Sequence, residues 1–200
     1  MDNRSVFLGT ADAVVDLVAR IPSQDWDLPA LGVWDVRSLV GHTSRAMTTV
    51  LDYLGDRRET VDVPTAAHYF AGAKGMDAAV HQAVAGRGVA DGRALGDDPA
   101  KAFAEIRRQV GEALDAVDGD PVVATRFGAM VVSEYLVTRI FELVIHGSDI
   151  AAATGLPVVF PDEAVRATLD VTVDALTLTG HALAAARYLA GRDGSAFSVF

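Results

Sequence analysis

The sequence predicts an all-α fold, a four-helix bundle with an additional C-terminal helix, and three observations carry that prediction. Five long segments repeat their apolar residues at helical spacing, most of them bounded by recognisable start or stop residues. No strand alternation persists anywhere. A glycine-rich link of bundle-crossover length separates the second and third strongly periodic segments. With 200 residues and an apolar fraction of 50%, the chain suffices for one core, so a single domain over residues 1–200 is expected.

The first helix runs from about Ser5 to Ile21, with Val6, Phe7, Ala13, Val14, Leu17 and Val18 at helical spacing and Pro22 stopping it. Trp26 and Trp34 then pin a proline- and glycine-bearing loop to the core by packing. Asp35 is a natural N-cap for the second helix, which carries Val36, Leu39, Val40, Met47, Val50, Leu51 and Leu54 and ends at Gly55. His42 projects from the margin of its apolar face. Taken alone, a histidine there reads as a hydrogen-bonded, half-buried residue.

Ala66 to Val84 is a weaker helix interrupted by Gly72 and Gly75, and its His68 and His81 read as ordinary surface or packing residues. The run Gly86 to Asp98 is glycine-rich but lacks a following Gly-Lys-Ser/Thr and a preceding strand, so it reads as a connection and not a phosphate cradle. Pro99 opens the third bundle helix, with Phe103, Ile106, Val110, Leu114 and Val117 inward and an end near Gly119. Pro121 to Met130 is extended or looped; its short apolar run does not decide between them. After the fourth helix, Pro161 begins a final helix to about Leu189, with Val165, Leu169, Val173, Leu176, Leu183 and Ala184 inward, Gly180 tolerated within it and a solitary His181. The tail Gly191 to Phe200 lacks a clear cap, as though the natural chain or a relative continues beyond it.

The fourth helix, Ser133 to Thr154, carries the chemistry. Ser133 is placed to cap it with Glu134 in the first turn, and Gly155 and Pro157 end it. At roughly 100° per residue, Tyr135, Thr138, Arg139, Glu142, His146 and Asp149 fall in one narrow stripe, while apolar residues cover the other faces. Glu142 and His146 are one turn apart and converge on a point. A third ligand must come from another helix, and His42 is the candidate, because no other histidine lies in a strongly periodic helix that a bundle sets beside this one. Two imidazoles and a carboxylate with an open position suit zinc, and also nickel or iron. Asp149, one turn beyond His146, is placed to accept that ring's second N–H. The open position would take water or an incoming thiolate. The alternative is an exposed salt-bridge stripe of Arg139, Glu142 and His146, worth little energetically.

Composition excludes several classes. A net charge of -10 argues against nonspecific nucleic-acid binding and against anionic membranes. No basic region precedes an apolar core at the N-terminus and no apolar run reaches the ~18 residues of a spanning helix, so a soluble cytoplasmic protein is expected. With no cysteine, disulfides and thiolate ligands are excluded, and any thiol must be brought from outside.

The segments Trp34-Asp-Val-Arg-Ser-Leu-Val-Gly-His-Thr43 and Phe141-Glu-Leu-Val-Ile-His-Gly-Ser-Asp-Ile-Ala151, about a hundred residues apart, resemble the metal-binding domain of mycothiol-dependent maleylpyruvate isomerases, within the DinB-like superfamily. The resemblance covers nearly the whole chain. It implies an up-down-down-up four-helix bundle and a metal triad on His42, Glu142 and His146, with zinc as the usual ion and mycothiol as thiol cosubstrate. It further implies isomerase or S-transferase chemistry on a small electrophile. Arg139 and Tyr135 are candidate contacts to substrate or thiol, and the small Gly147 and Ser148 would leave room near the metal. The isomerases proper have a second, C-terminal domain that contributes to the active site, and this chain ends where it would start. Two alternatives remain at this stage, a non-catalytic metal- or ligand-binding bundle and a purely structural one. A homodimer is compatible with all three.

Overall fold

The computed structural model describes residues 2–73 and 78–192. In chain order the elements are α1 (Asn3–Val18), β1 (Pro29–Leu31), β2 (Trp34–Asp35), α2 (Val36–Leu54), β3 (Arg57–Arg58), α3 (Ala66–Ala73), α4 (Ala78–Ala94), α5 (Pro99–Asp115), β4 (Val122–Thr125), β5 (Gly128–Val131), α6 (Val132–Thr154), α7 (Asp162–Leu178) and α8 (Ala182–Leu189). The frame is α1, α2, α5 and α6, the four helices that periodicity assigns to the bundle. Both α1 and α2 pack against α5 and α6, so α1 and α2, consecutive in the chain, occupy opposite corners. Their inward residues Phe7, Leu17, Leu39, Met47, Phe103, Leu136, Ile140 and Leu143 are fully buried and form one core. The all-α expectation holds.

Caps fix where these helices begin and end. The Asp2 carboxylate accepts the backbone N–H groups of Arg4 and Ser5, and Asp35 accepts that of Ser38 at 2.7 Å, as its position predicts. Asp98 caps α5, with Pro99 at its first position, and Gly155 ends α6 in the left-handed conformation at φ 68°. Ser133 is not the cap of α6. Strand β5 runs directly into that helix, so Val131 takes the cap position and the carboxylate comes from across the hairpin: Asp120 accepts the Ser133 N–H at 2.8 Å and its hydroxyl at 2.6 Å.

The region read as a glycine-rich connection is helical as far as Ala94. Glycine costs a helix interior about 1 kcal/mol relative to alanine, but here tertiary contact outweighs that cost. Helix α4 lies so close to α2 that a Cβ on Gly41 would stand 2.1 Å from the Gly92 nitrogen, and one on Gly92 would stand 2.7 Å from the Arg37 carbonyl oxygen. The turn to α5 follows at Gly96, φ 72°. Gly75 lies outside the described residues, as does the side chain of His81.

Pro121 to Met130 resolves into the antiparallel hairpin β4–β5, to which β3 adds a third short strand, and β1 pairs with β2. Strands of two to four residues are too short to show alternation in sequence. The single final helix is instead two, because Gly180 at φ 75° breaks it. Its inward face also differs from expectation. Val165, Leu169, Val173 and Leu183 are 40%, 57%, 51% and 74% exposed, and Ala184 is exposed too; Ala164, Thr168, Val171, Ala175 and Leu176 face inward. Where α7 packs on α6 and α3, Ala164, Thr168 and Ala175 share the inward face with Val171 and Leu176, so of the residues expected inward on α7 and α8 only Leu176 is buried. Of the tail, residues 193–200 lie outside the description.

Replacing Gly41 by alanine should lower stability by about 1–3 kcal/mol, because backbone on both sides must move. Gly86→Ala, on α4 with nothing within 4 Å of the added methyl, should be neutral or stabilise by about 1 kcal/mol. Urea unfolding of both variants checks this, and equal midpoints would contradict the close contact of α2 and α4.

Candidate metal centre

One turn of α6 places Glu142 beside His146, and the next adds Asp149. The His146 ring lies between the two carboxylates, with Nε2 3.1 Å from Glu142 Oε2 and Nδ1 3.2 Å from Asp149 Oδ2. Burial alone would push the imidazole pKa down; the hydrogen bonds to Asp149 and Glu142 outweigh it and raise the pKa to about 9. For Glu142, burial works to raise the pKa, while the His146 hydrogen bond and the Arg139 guanidinium hold it at about 2. Arg139 Nη2 is 3.9 Å from Glu142 Oε1. The side chains of Arg139, His146 and Glu142 are only 9%, 16% and 26% exposed, which departs from a solvated salt-bridge face.

Helix α2 supplies the third group. The His42 ring centroid is 5.0 Å from that of His146, nearly edge-on at 78°, and 4.5 Å from the Trp34 ring. Trp34 is itself held: its Nε1 donates to the Ala85 carbonyl at 2.8 Å, and a Cβ on Gly88 would stand 2.6 Å from its ring. Burial, followed by the charge of His146, lowers the His42 pKa to about 4, so the imidazole is neutral at physiological pH. Its buried Nδ1 has no hydrogen-bond partner among the described residues. A neutral imidazole with an unsatisfied buried nitrogen beside a carboxylate and a second imidazole fits a divalent transition-metal ion in number and type of donors. One ligand atom from each of His42, Glu142 and His146 lies within 4.8 Å of the others.

These three residues border a cavity of about 490 Å³. Tyr135 and Arg139 border it too, and both are already engaged. The buried Tyr135 hydroxyl donates to Thr49 Oγ1 at 2.6 Å, and burial pushes its pKa up. The Arg139 guanidinium lies 4.9 Å over the Tyr135 ring and 5.7 Å over that of Tyr69, with Nε donating to Thr138 Oγ1 at 2.9 Å. Gly147 does not open space near the triad: a Cβ there would meet Phe160 at 2.8 Å and Val14 at 3.1 Å, so its smallness serves the packing of α6. The Ser148 hydroxyl bonds back to the Val144 carbonyl. His68 is an exposed residue bonded to Thr65, and His181 is exposed at the start of α8; neither approaches the triad group.

Sequence reasoning assigned Trp34 only to packing and missed its stacking on His42. It also missed the remaining cavity wall, which includes Arg45, Arg87, Arg126, Tyr69 and Phe127. The retrospective signal for Trp34 is its spacing of eight residues from His42, which brings the strand before α2 over the same helical face.

No helix among the described residues is long and apolar enough to cross a membrane. No curated protein and no solved structure matches the chain. Residues 8–151 match the model of the mycothiol maleylpyruvate isomerase N-terminal domain, a span that takes in α2, α4, α6 as far as Ala151, and all three residues of the triad. The chain therefore belongs to the mycothiol maleylpyruvate isomerase N-terminal domain family.

Proposed function

We propose that this chain is a divalent-metal-dependent enzyme that activates a low-molecular-weight thiol, mycothiol, for addition or transfer to a small electrophile. The convergence of His42, Glu142 and His146 at the wall of a cavity carries the reading. Family membership supports mycothiol as the thiol and maleylpyruvate-like isomerisation as one outcome. The absence of cysteine agrees with a thiol that arrives as a cosubstrate.

His42, Glu142 and His146 would hold the ion, with zinc the expected one. Bound there, a divalent ion supplies Lewis acidity that lowers the pKa of a thiol entering its open position. Asp149, 3.2 Å from Nδ1 of His146, would accept that N–H and leave Nε2 of the ring available as the ligand atom. Trp34, its ring 4.5 Å from that of His42, restricts the rotation of the imidazole. The His146 hydrogen bond and then Arg139, 3.9 Å away, keep the Glu142 carboxylate ionised. Addition of the thiolate to a conjugated double bond forms C–S and removes the π bond; rotation and expulsion of the same thiol restore it with inverted geometry. In the transferase alternative the C–S bond is retained.

Purified protein reconstituted with zinc should hold one equivalent, and His42→Ala and His146→Ala should abolish binding measured by metal analysis. Retention of the full equivalent in both variants would remove the triad assignment. Asp149→Ala should weaken zinc about 10–100-fold in a chelator competition while leaving the stoichiometry unchanged. Zinc-loaded protein should either isomerise a maleylpyruvate-like substrate in the presence of mycothiol without net loss of the thiol, or consume mycothiol with an alkylating electrophile, at a rate lost in His146→Ala; a metal-loaded protein that does neither is a binding protein, not an enzyme.

A further inference from the structure

The cavity beside the triad has a composition that the metal does not require. Tyr69 and Phe70 from α3, Phe127 from the turn between β4 and β5, and Phe141 from α6 border it. They form a connected aromatic wall: Tyr69 meets Phe127 at 4.8 Å and Phe70 at 5.8 Å, and Phe70 meets Phe141 at 4.8 Å. Arg87 of α4 and Arg126 of the β4–β5 turn border the same space. Neither guanidinium has a carboxylate partner among the described residues, and Arg126 lies 5.7 Å over the Phe127 ring.

In a chain with 27 acidic residues against 17 basic ones, arginines are easily neutralised. Yet Glu142, the one carboxylate on this cavity's lining among the described residues, is held by His146 and Arg139. Two guanidinium groups without a carboxylate partner among the described residues, bordering a cavity with an aromatic wall, suit an anion attached to a flat π system: the ring stacks on or against the wall, and the anion takes the fork geometry of arginine. A cavity of about 490 Å³ accommodates such a molecule.

We propose that this cavity selects an aromatic anion, a planar ring system carrying a carboxylate or a similar oxyanion, with the ring on the Tyr69–Phe127 and Phe70–Phe141 wall and the anion on Arg87 and Arg126. The inference deepens the preceding reading by making aryl-bearing anions the preferred electrophiles over aliphatic, maleylpyruvate-like ones. It rests on that reading only for what happens to the ligand after it binds.

Calorimetric titration with 2-naphthoate, cyclohexanecarboxylate and neutral 2-naphthalenemethanol tests it on both zinc-loaded and metal-free protein. Naphthoate should bind about tenfold or more tightly than either of the others in both forms. Arg87→Gln combined with Arg126→Gln should reduce naphthoate affinity about tenfold without changing that of the alcohol or the zinc stoichiometry. Phe127→Leu should erase the preference for naphthoate over cyclohexanecarboxylate. Equal affinity for the two carboxylates, equal affinity for naphthoate and the alcohol, undiminished naphthoate binding in the double arginine variant, or no binding at all would each overturn the proposal. Naphthoate binding that requires zinc and ignores the arginines would overturn it as well. Protein that takes up no zinc but keeps the naphthoate preference would sink the metal reading and leave this one standing.

Discussion

A charged stripe turned inward on α6 is the constraint that the surrounding structure has to meet. Removing Arg139, Glu142 and His146 from water is costly unless each finds a partner. Most of that requirement is met along the helix itself: Arg139 beside Glu142, Glu142 on one side of the His146 ring, Asp149 on the other. Tyr69 and Tyr135 give the guanidinium two aromatic faces. What α6 does not supply is a hydrogen-bond partner for the buried Nδ1 of His42, which has none among the described residues. An unpartnered polar nitrogen buried beside that cluster costs stability, and it is the observation that makes His42 a candidate ligand.

The position of that nitrogen is set at a distance. His42 is held against Trp34, Trp34 against Gly88 and the Ala85 carbonyl, and α4 as a whole against α2 through Gly41 and Gly92. Each contact is a van der Waals or hydrogen-bonded closure with no slack, so the glycines of α4 act on the candidate metal centre although none borders it. The same helix carries Arg87 to the cavity, which ties the wall of the pocket to the orientation of the imidazole.

How much of this was legible follows from which elements announce themselves. The four bundle helices did, because their apolar residues recur at 3.6-residue spacing between polar caps, and Glu142 with His146 did, because one helical turn fixes their separation. His42 was reachable by elimination once α2 and α6 were set side by side. Helix α4 was not, since its glycines read as chain breakers until Gly41, Trp34 and Arg37 are seen pressed against them. The hairpin was hidden by strands of four residues. Arg87 and Arg126 lie on those two elements, so the cavity wall stayed invisible even though the triad at its edge did not. On α7 the apolar pattern misleads in part: Ala164, Val171, Ala175 and Leu176 are buried, whereas Leu169 and Val173 are exposed.

X-ray absorption at the zinc edge of the reconstituted protein tests the central claim most directly. A first shell containing two imidazole nitrogens and one carboxylate oxygen at about 2.0–2.2 Å, with one imidazole lost in His42→Ala, is the predicted result. A shell made of oxygen alone, or one that His42→Ala leaves unchanged, would contradict it.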